Sequence, residues 1–386
     1  MTILYLAANS ENPSQRRKLA GMRRYAGLVG SEVLPVSRAE SVPDNLPVLL
    51  RRHRPAGCVA DGAGCFADLP PGLFGRVPVV YVGYPLGFTK SAPSFHFDPD
   101  AIARTAFGEL SAGRPAAYAA IGFPRPWEWS IRRVSAFRKV VREAGEKCHV
   151  FPSPPGTAPN PSESFSARLA DWLATLPAHS AVFAVSDEVA AIAVRAAQTA
   201  LRHIPKSLTL CSVDNFVDIC ESAPTPITSI QLDFERLGFM AATALGQAIA
   251  GCADARPKPV VIGPLMVVRR KSTSGRGRHE PWIMEAVEEI RREACDGLTA
   301  KRLIERYPQS RRNFERRFRE AVGHSVLDEI LHVRLEAVCA LLARSGTPIG
   351  AISAMCGFPS DDALDALFRR RFGIGMRDWR RRNAYS

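Results

Sequence analysis

The chain has 386 residues, 46% of them hydrophobic, and carries 51 Lys and Arg against 38 Asp and Glu, a formal charge of +13. That length accommodates two or three domains with sizeable cores, and the basic excess favours polyanionic partners. No apolar run approaches a membrane span, and nine cysteines scattered from Cys58 to Cys356 without a C-x-x-C pair suggest neither a disulfide framework nor a zinc site; no cofactor or metal is expected.

The apolar start Ile3-Leu4-Tyr5-Leu6-Ala7-Ala8 is too short for a signal peptide and lacks a basic leading segment, so it reads as a first strand of a cytoplasmic protein. An amphipathic helix follows at 15–27. Strands are expected at 57–60, 77–82, 116–122, 181–185 and 208–213, with helices at 129–144 and 188–200. Such alternation implies a parallel sheet covered by helices, and more strands than one compact sheet holds imply two lobes. Ligands of such sheets sit at the carboxyl ends of strands. The polar groups there are Asn9 and Ser10 after the first strand, then Asp61, Asp187 and Asp214-Asn215.

A last strand at 265–268 runs into 269–278, which is basic, polar and Gly/Ser-containing and reads as a solvated tether; Pro281-Trp282 opens a new helical region. The expected domains are therefore 1–268, a linker at 269–280, and 281–386. Two helix-turn-helix patterns fill the last domain, one from Leu298 to Gly323 and one from Ile349 to Gly373. In the first, Leu298, Leu303 and Ile304 stripe a short helix, Tyr307-Pro308-Gln309 breaks it, and Ser310 caps a second helix striped by Phe314, Phe318, Ala321 and Val322. The opposite face shows Arg311, Arg312, Asn313, Arg316 and Arg319: guanidiniums for phosphates and guanine edges, an amide for adenine. Lys301, Arg302, Arg306 and Arg317 add to the local positive balance. In the second, Ile349 and Ile352 lead to the turn Gly357-Phe358-Pro359-Ser360, and Leu364, Leu367, Phe368 and Phe372 repeat the stripe.

This pair, with Gly323, Arg334-Leu335, Leu341-Leu342, Gly357-Phe358 and Ser360, Phe368-Arg369 and Gly373, resembles the AraC/XylS family of DNA-binding domains. The resemblance implies two recognition helices held by a connecting helix near 327–344 and entering successive major grooves about 34 Å apart. It makes Arg311, Arg312, Asn313, Arg316, Ser360, Asp361, Asp362 and Arg369 the candidate DNA-binding residues and a double-stranded operator the partner. Two departures bear on mechanism. Pro308 stands where the family's first turn usually has Gly and fixes a negative φ, so that turn is reshaped. The second recognition helix carries Asp361, Asp362 and Asp365, which phosphates repel; Asp accepts from cytosine N4 or caps the helix start, and a cap by Ser360 or Asp361 is the alternative. The first recognition helix is therefore expected to read most of the sequence.

Upstream, Ala184-Val185-Ser186-Asp187-Glu188-Val189-Ala190, Ser212-Val213-Asp214-Asn215 and Thr228-Ser229-Ile230-Gln231-Leu232-Asp233-Phe234-Glu235-Arg236-Leu237-Gly238 resemble the periplasmic-binding-type effector domain of LacI-like regulators. Joined to an AraC-type tail, and with Trp129 four residues before Arg133 and Ala170-Asp171-Trp172-Leu173 before Thr175-Leu176-Pro177, the whole chain is similar to the xylose-operon-regulator family. The fold expected is a two-lobed α/β periplasmic-binding-protein-like domain plus an all-α domain with two helix-turn-helix units. The resemblance implies that Asp214 and Arg133 bind sugar hydroxyls, that Asp187 or Ser186 supports them, and that Trp129 stacks on an apolar sugar face. A helix cap is the alternative for Asp187, a turn for Asp214, core packing for Trp129; Asp61, flanked by Gly62, is the first-lobe candidate or a turn former. The effector would be a monosaccharide such as xylose, or a related polyol or sugar acid. It would close the lobes and change how paired DNA-binding domains reach their half-sites. Activation, with RNA polymerase as a partner, and a homodimer are what the family implies; Leu19, Met22 and Tyr25 on the 15–27 helix would either pair across a two-fold or pack on the sheet. The rival reading is a cysteine-hydrolase-like sensor built on Cys65 or Cys58 near His53, with no third orienting group and no nucleophile elbow to support it. A transport binding protein is disfavoured by the missing export signal and the basic tail.

Overall fold

The computed structural model describes residues 1–6, 12–37, 43–62, 69–84, 91–123, 127–152, 161–251, 257–273, 281–322, 324–343, 347–372 and 374–383. Asn9, Ser10, Cys65, residues 274–280, Gly323 and Gly373 lie outside them. In chain order the elements are β1 (Thr2–Leu6), α1 (Pro13–Leu28), β2 (Glu32–Val36), α2 (Leu46–His53), β3 (Gly57–Asp61), β4 (Val79–Val82), β5 (Ser94–Phe97), α3 (Pro99–Ser111), β6 (Ala117–Ile121) and α4 (Glu128–Glu143). They continue with β7 (Cys148–Val150), α5 (Pro161–Thr175), β8 (Ser180–Ala184), α6 (Asp187–Thr199), β9 (Leu208–Asp214), α7 (Val217–Ser222), β10 (Thr228–Gln231), α8 (Phe234–Ile249), β11 (Val260–Ile262) and β12 (Met266–Val268). The remainder is helical: α9 (Pro281–Glu293), α10 (Ala300–Ile304), α11 (Arg311–Val322), α12 (Val326–Ala343), α13 (Ile349–Met355), α14 (Asp361–Phe372) and α15 (Met376–Asn383).

The strands form two six-stranded sheets, ordered β11-β5-β4-β3-β1-β2 and β12-β10-β9-β8-β6-β7. Pairing is parallel from β1 through its neighbours and from β6 through β10, and β12 runs antiparallel to β10. Every residue of β3, β6, β8 and β10 is buried, as parallel strands covered by helices on both faces require. β2 shows alternating burial and tolerates Pro35 because it is an edge.

Contacts divide the chain into two compact units, residues 1–96 with 234–260 and 281–386, and residues 97–233 with 261–280. In the first unit α1 and α8 cross in backbone contact: a Cβ on Gly21 would overlap the Glu235 carbonyl oxygen, and one on Gly238 would overlap that of Lys18. Leu19, Met22 and Tyr25 are buried, Tyr25 meeting Phe239 of α8 edge-on at 6.0 Å, so these three are not an exposed pairing surface.

In the same unit α9 to α15 pack around α12. Leu298, Leu303, Ile304, Phe314, Phe318 and Val322 are buried in the first helix-turn-helix, and Ile352, Phe358, Leu364 and Phe368 in the second. Gly357, at φ +73°, turns the chain beside the carbonyls of Ala294 and Cys295, which a side chain there would strike. Phe372, expected in the buried stripe, is 38% exposed at its end. Arg334 is buried and donates to the carbonyls of Ala294 (2.8 Å) and Leu298 (2.9 Å), fixing the α9–α10 connection to α12.

The second unit differs from expectation after β12. The tether expected from 269 does not begin there: Arg270, Ser272 and Thr273 are buried. Ser272 accepts from the Thr228 amide (2.8 Å) and donates to the Leu210 carbonyl (2.6 Å), while Arg270 pairs with Glu221 and donates to the Ile227 carbonyl (2.9 Å). Charge density suggests solvent; Glu221 of α7 and the Ile227 carbonyl instead take up the Arg270 guanidinium, and Ser272 bonds to the backbone of β9 and β10.

Candidate functional site

In the second unit the carboxyl ends of β8, β9 and β10 converge. Asp214, the last residue of β9, sits at φ +107° and Asn215 at +51°, two successive non-glycine residues in a region L side chains rarely occupy. Strain of this kind persists only where the surroundings hold it, and it concentrates at binding sites. Asn215 donates to the Gln231 amide oxygen (2.7 Å) and its backbone N–H donates to Ser229 Oγ (3.0 Å). Arg133, on the second turn of α4, donates to the Val185 carbonyl (2.6 Å) and to Asp214 Oδ1 (3.3 Å). Both side chains keep about a tenth of their surface, 9% for Arg133 and 10% for Asp214. Burial pushes the Asp214 carboxyl up to about 7; Arg133 opposes that rise, and Asp187 and Glu188 add to it.

Over this pair lies an aromatic cluster. Phe123 and Trp127 stack at 4.4 Å, Trp129 meets both at 5.7 and 5.8 Å, and the Arg133 guanidinium lies 5.0 Å from the Trp129 ring centre. Phe123, Trp127 and Trp129 are each partly exposed. A carboxylate and a guanidinium beside half-open aromatic faces match a polyol, which offers bidentate hydroxyls on its edges and C–H groups on its faces. Trp127 and Phe123 escaped sequence reasoning. Their signal was the aromatic density of 123–129, interrupted by the prolines Pro124 and Pro126.

Asp187 stands behind these groups. It is fully buried and accepts from Ser212 Oγ, from Ser229 Oγ (2.6 Å) and from the Phe216 N–H (2.6 Å), tying β9, β10 and the turn after β9 together. Burial still raises its carboxyl, with those hydrogen bonds pulling the other way. The cap of α6 is Ser186, whose Oγ accepts from the Val189 N–H (3.4 Å). Asp187 thus braces the loop that carries Asp214.

In the first unit Asp61 ends β3 and is wholly buried. It takes an ion pair from Lys18 of α1 and a hydrogen bond from Tyr5 Oη (2.5 Å). Asp61 is more than a turn former: it anchors α1 to the sheet. Burial, then the charge of Asp61, raises the Tyr5 hydroxyl, which stays protonated as the donor. Lys18 and Tyr5 were missed because the pairing spans 43 and 56 residues of sequence.

On the helical region, Arg311, Arg312, Arg316 and Arg319 are exposed along α11, and Arg316 donates to Asn313 Oδ1 (3.0 Å). Ser310 caps this helix through the Asn313 N–H (3.4 Å). Arg306 is exposed too, but it pairs with Glu289 (2.7 Å) and Glu293 (2.8 Å) of α9, which offset its charge. On α14, Ser360 accepts from the Ala363 N–H (3.2 Å) and so caps the helix, while Asp361 accepts from Ser353 Oγ of α13 and joins the two helices of the motif. Asp362 is exposed. Arg369 pairs with Asp365 one turn back (2.7 Å), so its charge is partly offset, whereas Arg370 and Arg371 are exposed. α11 therefore offers the denser cationic face.

Cys58 gives the hydrolase reading no support. It is fully buried in β3 among Leu4, Ala60 and Tyr81, and burial pushes its thiol up to about 12. Among the described residues no cluster of His, Cys, Asp and Glu fits a metal ion, and no helix is long and apolar enough to cross a membrane.

Residues 114–273 match the periplasmic binding protein-like domain family, and residues 303–382 match a helix-turn-helix domain family. The xylose operon regulatory protein of Escherichia coli (strain K12) is 28% identical over 312 residues, 79% of this chain and 78% of that protein. The protein of the same description from Haemophilus influenzae is 25% identical over 252 residues, 65% of each. Among solved structures, a xylose-binding transcription activator aligns over 100% of this chain and 99% of its own at TM-score 0.59 and 25% identity. The lac repressor dimer bound to operator shares the fold over 71% of this chain and 81% of its own, at TM-score 0.57 and 17% identity.

Proposed function

For a chain that joins a periplasmic-binding-protein-like effector domain to a C-terminal AraC-type helix-turn-helix domain, the organisation of the xylose-operon regulators, we propose one function: it is a sugar-responsive, sequence-specific regulator of transcription. Its effector is D-xylose or a close stereochemical relative. The observation that carries this reading is the Arg133–Asp214 pair beneath Trp129 in a chain that also presents the arginines of α11. Asp214 and Arg133 take the sugar hydroxyls, Trp129 and Trp127 cover its apolar face, and Asp187 fixes the loop. Arg311, Arg312, Asn313 and Arg316 read the first major groove; Ser360 and Asp361 set the second helix, and Asp362, Arg369, Arg370 and Arg371 face the second groove. The enzyme alternative has no support in the relatives, which are regulators of an operon.

The chain acts on operator DNA in the cytoplasm as a homodimer, and activates transcription through RNA polymerase. Isothermal titration against a panel of pentoses, hexoses and sugar acids tests the effector half. Micromolar to millimolar binding of D-xylose that Arg133→Ala abolishes supports it; no binding by any member of the panel, with operator binding intact, removes it.

A further inference from the structure

α12 joins the two helix-turn-helix units, and one of its faces is occupied by the effector domain's own helices. Glu336 of α12 takes Arg24 of α1 on Oε2 (3.4 Å) and Arg236 of α8 on Oε1 (3.1 Å). Arg24 also pairs with Glu235 (3.6 Å) and lies 4.5 Å over the Phe239 ring, so its position is fixed from the α8 side. Arg236 donates to Nε2 of His332, one turn before Glu336 (2.6 Å); burial, reinforced by Arg236, holds that imidazole down at about 4, neutral and able to accept. At the end of α1, Leu28 packs against the core formed by Leu335, Val338, Leu342, Ile352 and Phe368.

Two features make α1 a stiff link. At its middle the Gly21–Gly238 crossing leaves no side chain between α1 and α8, so the two helices move together. At its sheet end Lys18 grips Asp61, at the carboxyl edge of β3 where ligands of such sheets bind. Lys18, Gly21, Arg24 and Leu28 lie three to four residues apart, within one helix. Asp61 is thus linked through α1 to Glu336 and the second helix-turn-helix core by contacts that do not involve residues 274–280.

We infer that the Glu336 face of α12 is the contact through which the effector domain sets the position of both recognition helices, with Arg24 and Arg236 as its partners and α1 as the transmitting rod. Glu336 meets Arg24 of α1 and Arg236 of α8, and His332 meets Arg236; they act as positioning residues. The inference rests on the sugar-responsive reading for its trigger, but the contact itself is independent of which ligand moves α1.

The test uses the full chain with Glu336→Gln, which keeps shape and removes charge, and Glu336→Arg, which reverses it. Operator affinity is measured by fluorescence anisotropy with and without D-xylose, and amide hydrogen exchange is followed across α1 and α12. The expected result is that the ratio of operator affinities with and without sugar falls at least fivefold toward unity in Glu336→Arg, and partway in Glu336→Gln, while D-xylose affinity measured without DNA stays within about threefold. Exchange should rise in both α1 and α12 and stay unchanged in β6, β8 and β9, whether or not sugar is present. An unchanged affinity ratio in Glu336→Arg, or exchange that does not rise in α1, overturns the inference. Should the wild-type chain ignore D-xylose, the functional reading fails separately, and the exchange arm still decides whether the contact couples the two parts.

Discussion

Sugar affinity should depend on pH through Asp214. Its carboxyl is pushed up to about 7 by burial, against the pull of Arg133, and hydroxyls donating to it favour the ionised form. With that value roughly one free site in ten is ionised at pH 6 and about nine in ten at pH 8, so D-xylose should bind about tenfold more weakly at pH 6. Near pH 7 binding should release about half a proton, read by calorimetry in buffers of different ionisation enthalpy. Asp214→Asn should bind more weakly at every pH and with a flat profile. The same raised value acts on stability with a fixed sign: the ligand-free fold is favoured by this group below the ordinary carboxylate range and loses that contribution as pH rises toward 7, so bound sugar should raise Tm more at pH 8 than at pH 6. A wild-type affinity independent of pH between 6 and 8, with no proton released, would refute the assignment of Asp214 as a direct sugar ligand.

Other outcomes follow from the same geometry. Arg316→Ala should weaken operator binding by about 1–3 kcal/mol and relax discrimination at one base pair, measured by competition with single-substitution duplexes; Arg306→Ala, whose guanidinium serves Glu289 and Glu293, should lower Tm and leave base discrimination intact. Gly21→Ala should destabilise by about 1–3 kcal/mol or more in denaturant titration, since its Cβ meets the Glu235 carbonyl and not a flexible side chain; Gly72→Ala, with open space around it, is the neutral control. Trp129→Ala should cost D-xylose about 1 kcal/mol of affinity by calorimetry without altering operator affinity in the absence of sugar.

Periodicity made part of this legible. The apolar runs of β3, β6 and β8 and the stripes Phe314–Phe318 and Leu364–Phe368 are buried as their spacing implies, because burying a contiguous face needs no distant partner. α8 (Phe234–Ile249) was not anticipated although Arg236, Thr243 and Gln247 recur at helical spacing opposite the buried Leu237, Ala241, Ala242 and Leu245. β5, β7 and β11 are three or four residues long, below what alternation can signal. The ligand candidates divided along similar lines. Asp214 and Arg133 lie 3.3 Å apart, while Asp61 and Asp187 have their carboxylates engaged by Lys18, Tyr5, Ser212 and Ser229, partners that only the folded sheet brings near. Charge misled at two places: Arg270 reads as tether and Arg306 as part of the positive balance around α11, yet Arg270 pairs with Glu221 and Arg306 with Glu289 and Glu293, each supplied by another element.

The most direct test of sugar-controlled, sequence-specific DNA binding is the operator affinity of the full chain, using a duplex selected from a random pool and a scrambled control, with and without D-xylose across a salt series. The account predicts preference for the selected duplex at every salt, affinity that falls steeply with salt, and a shift on adding D-xylose that Arg133→Ala removes. Equal affinity for selected and scrambled duplex, or selective binding that no monosaccharide changes, would contradict it.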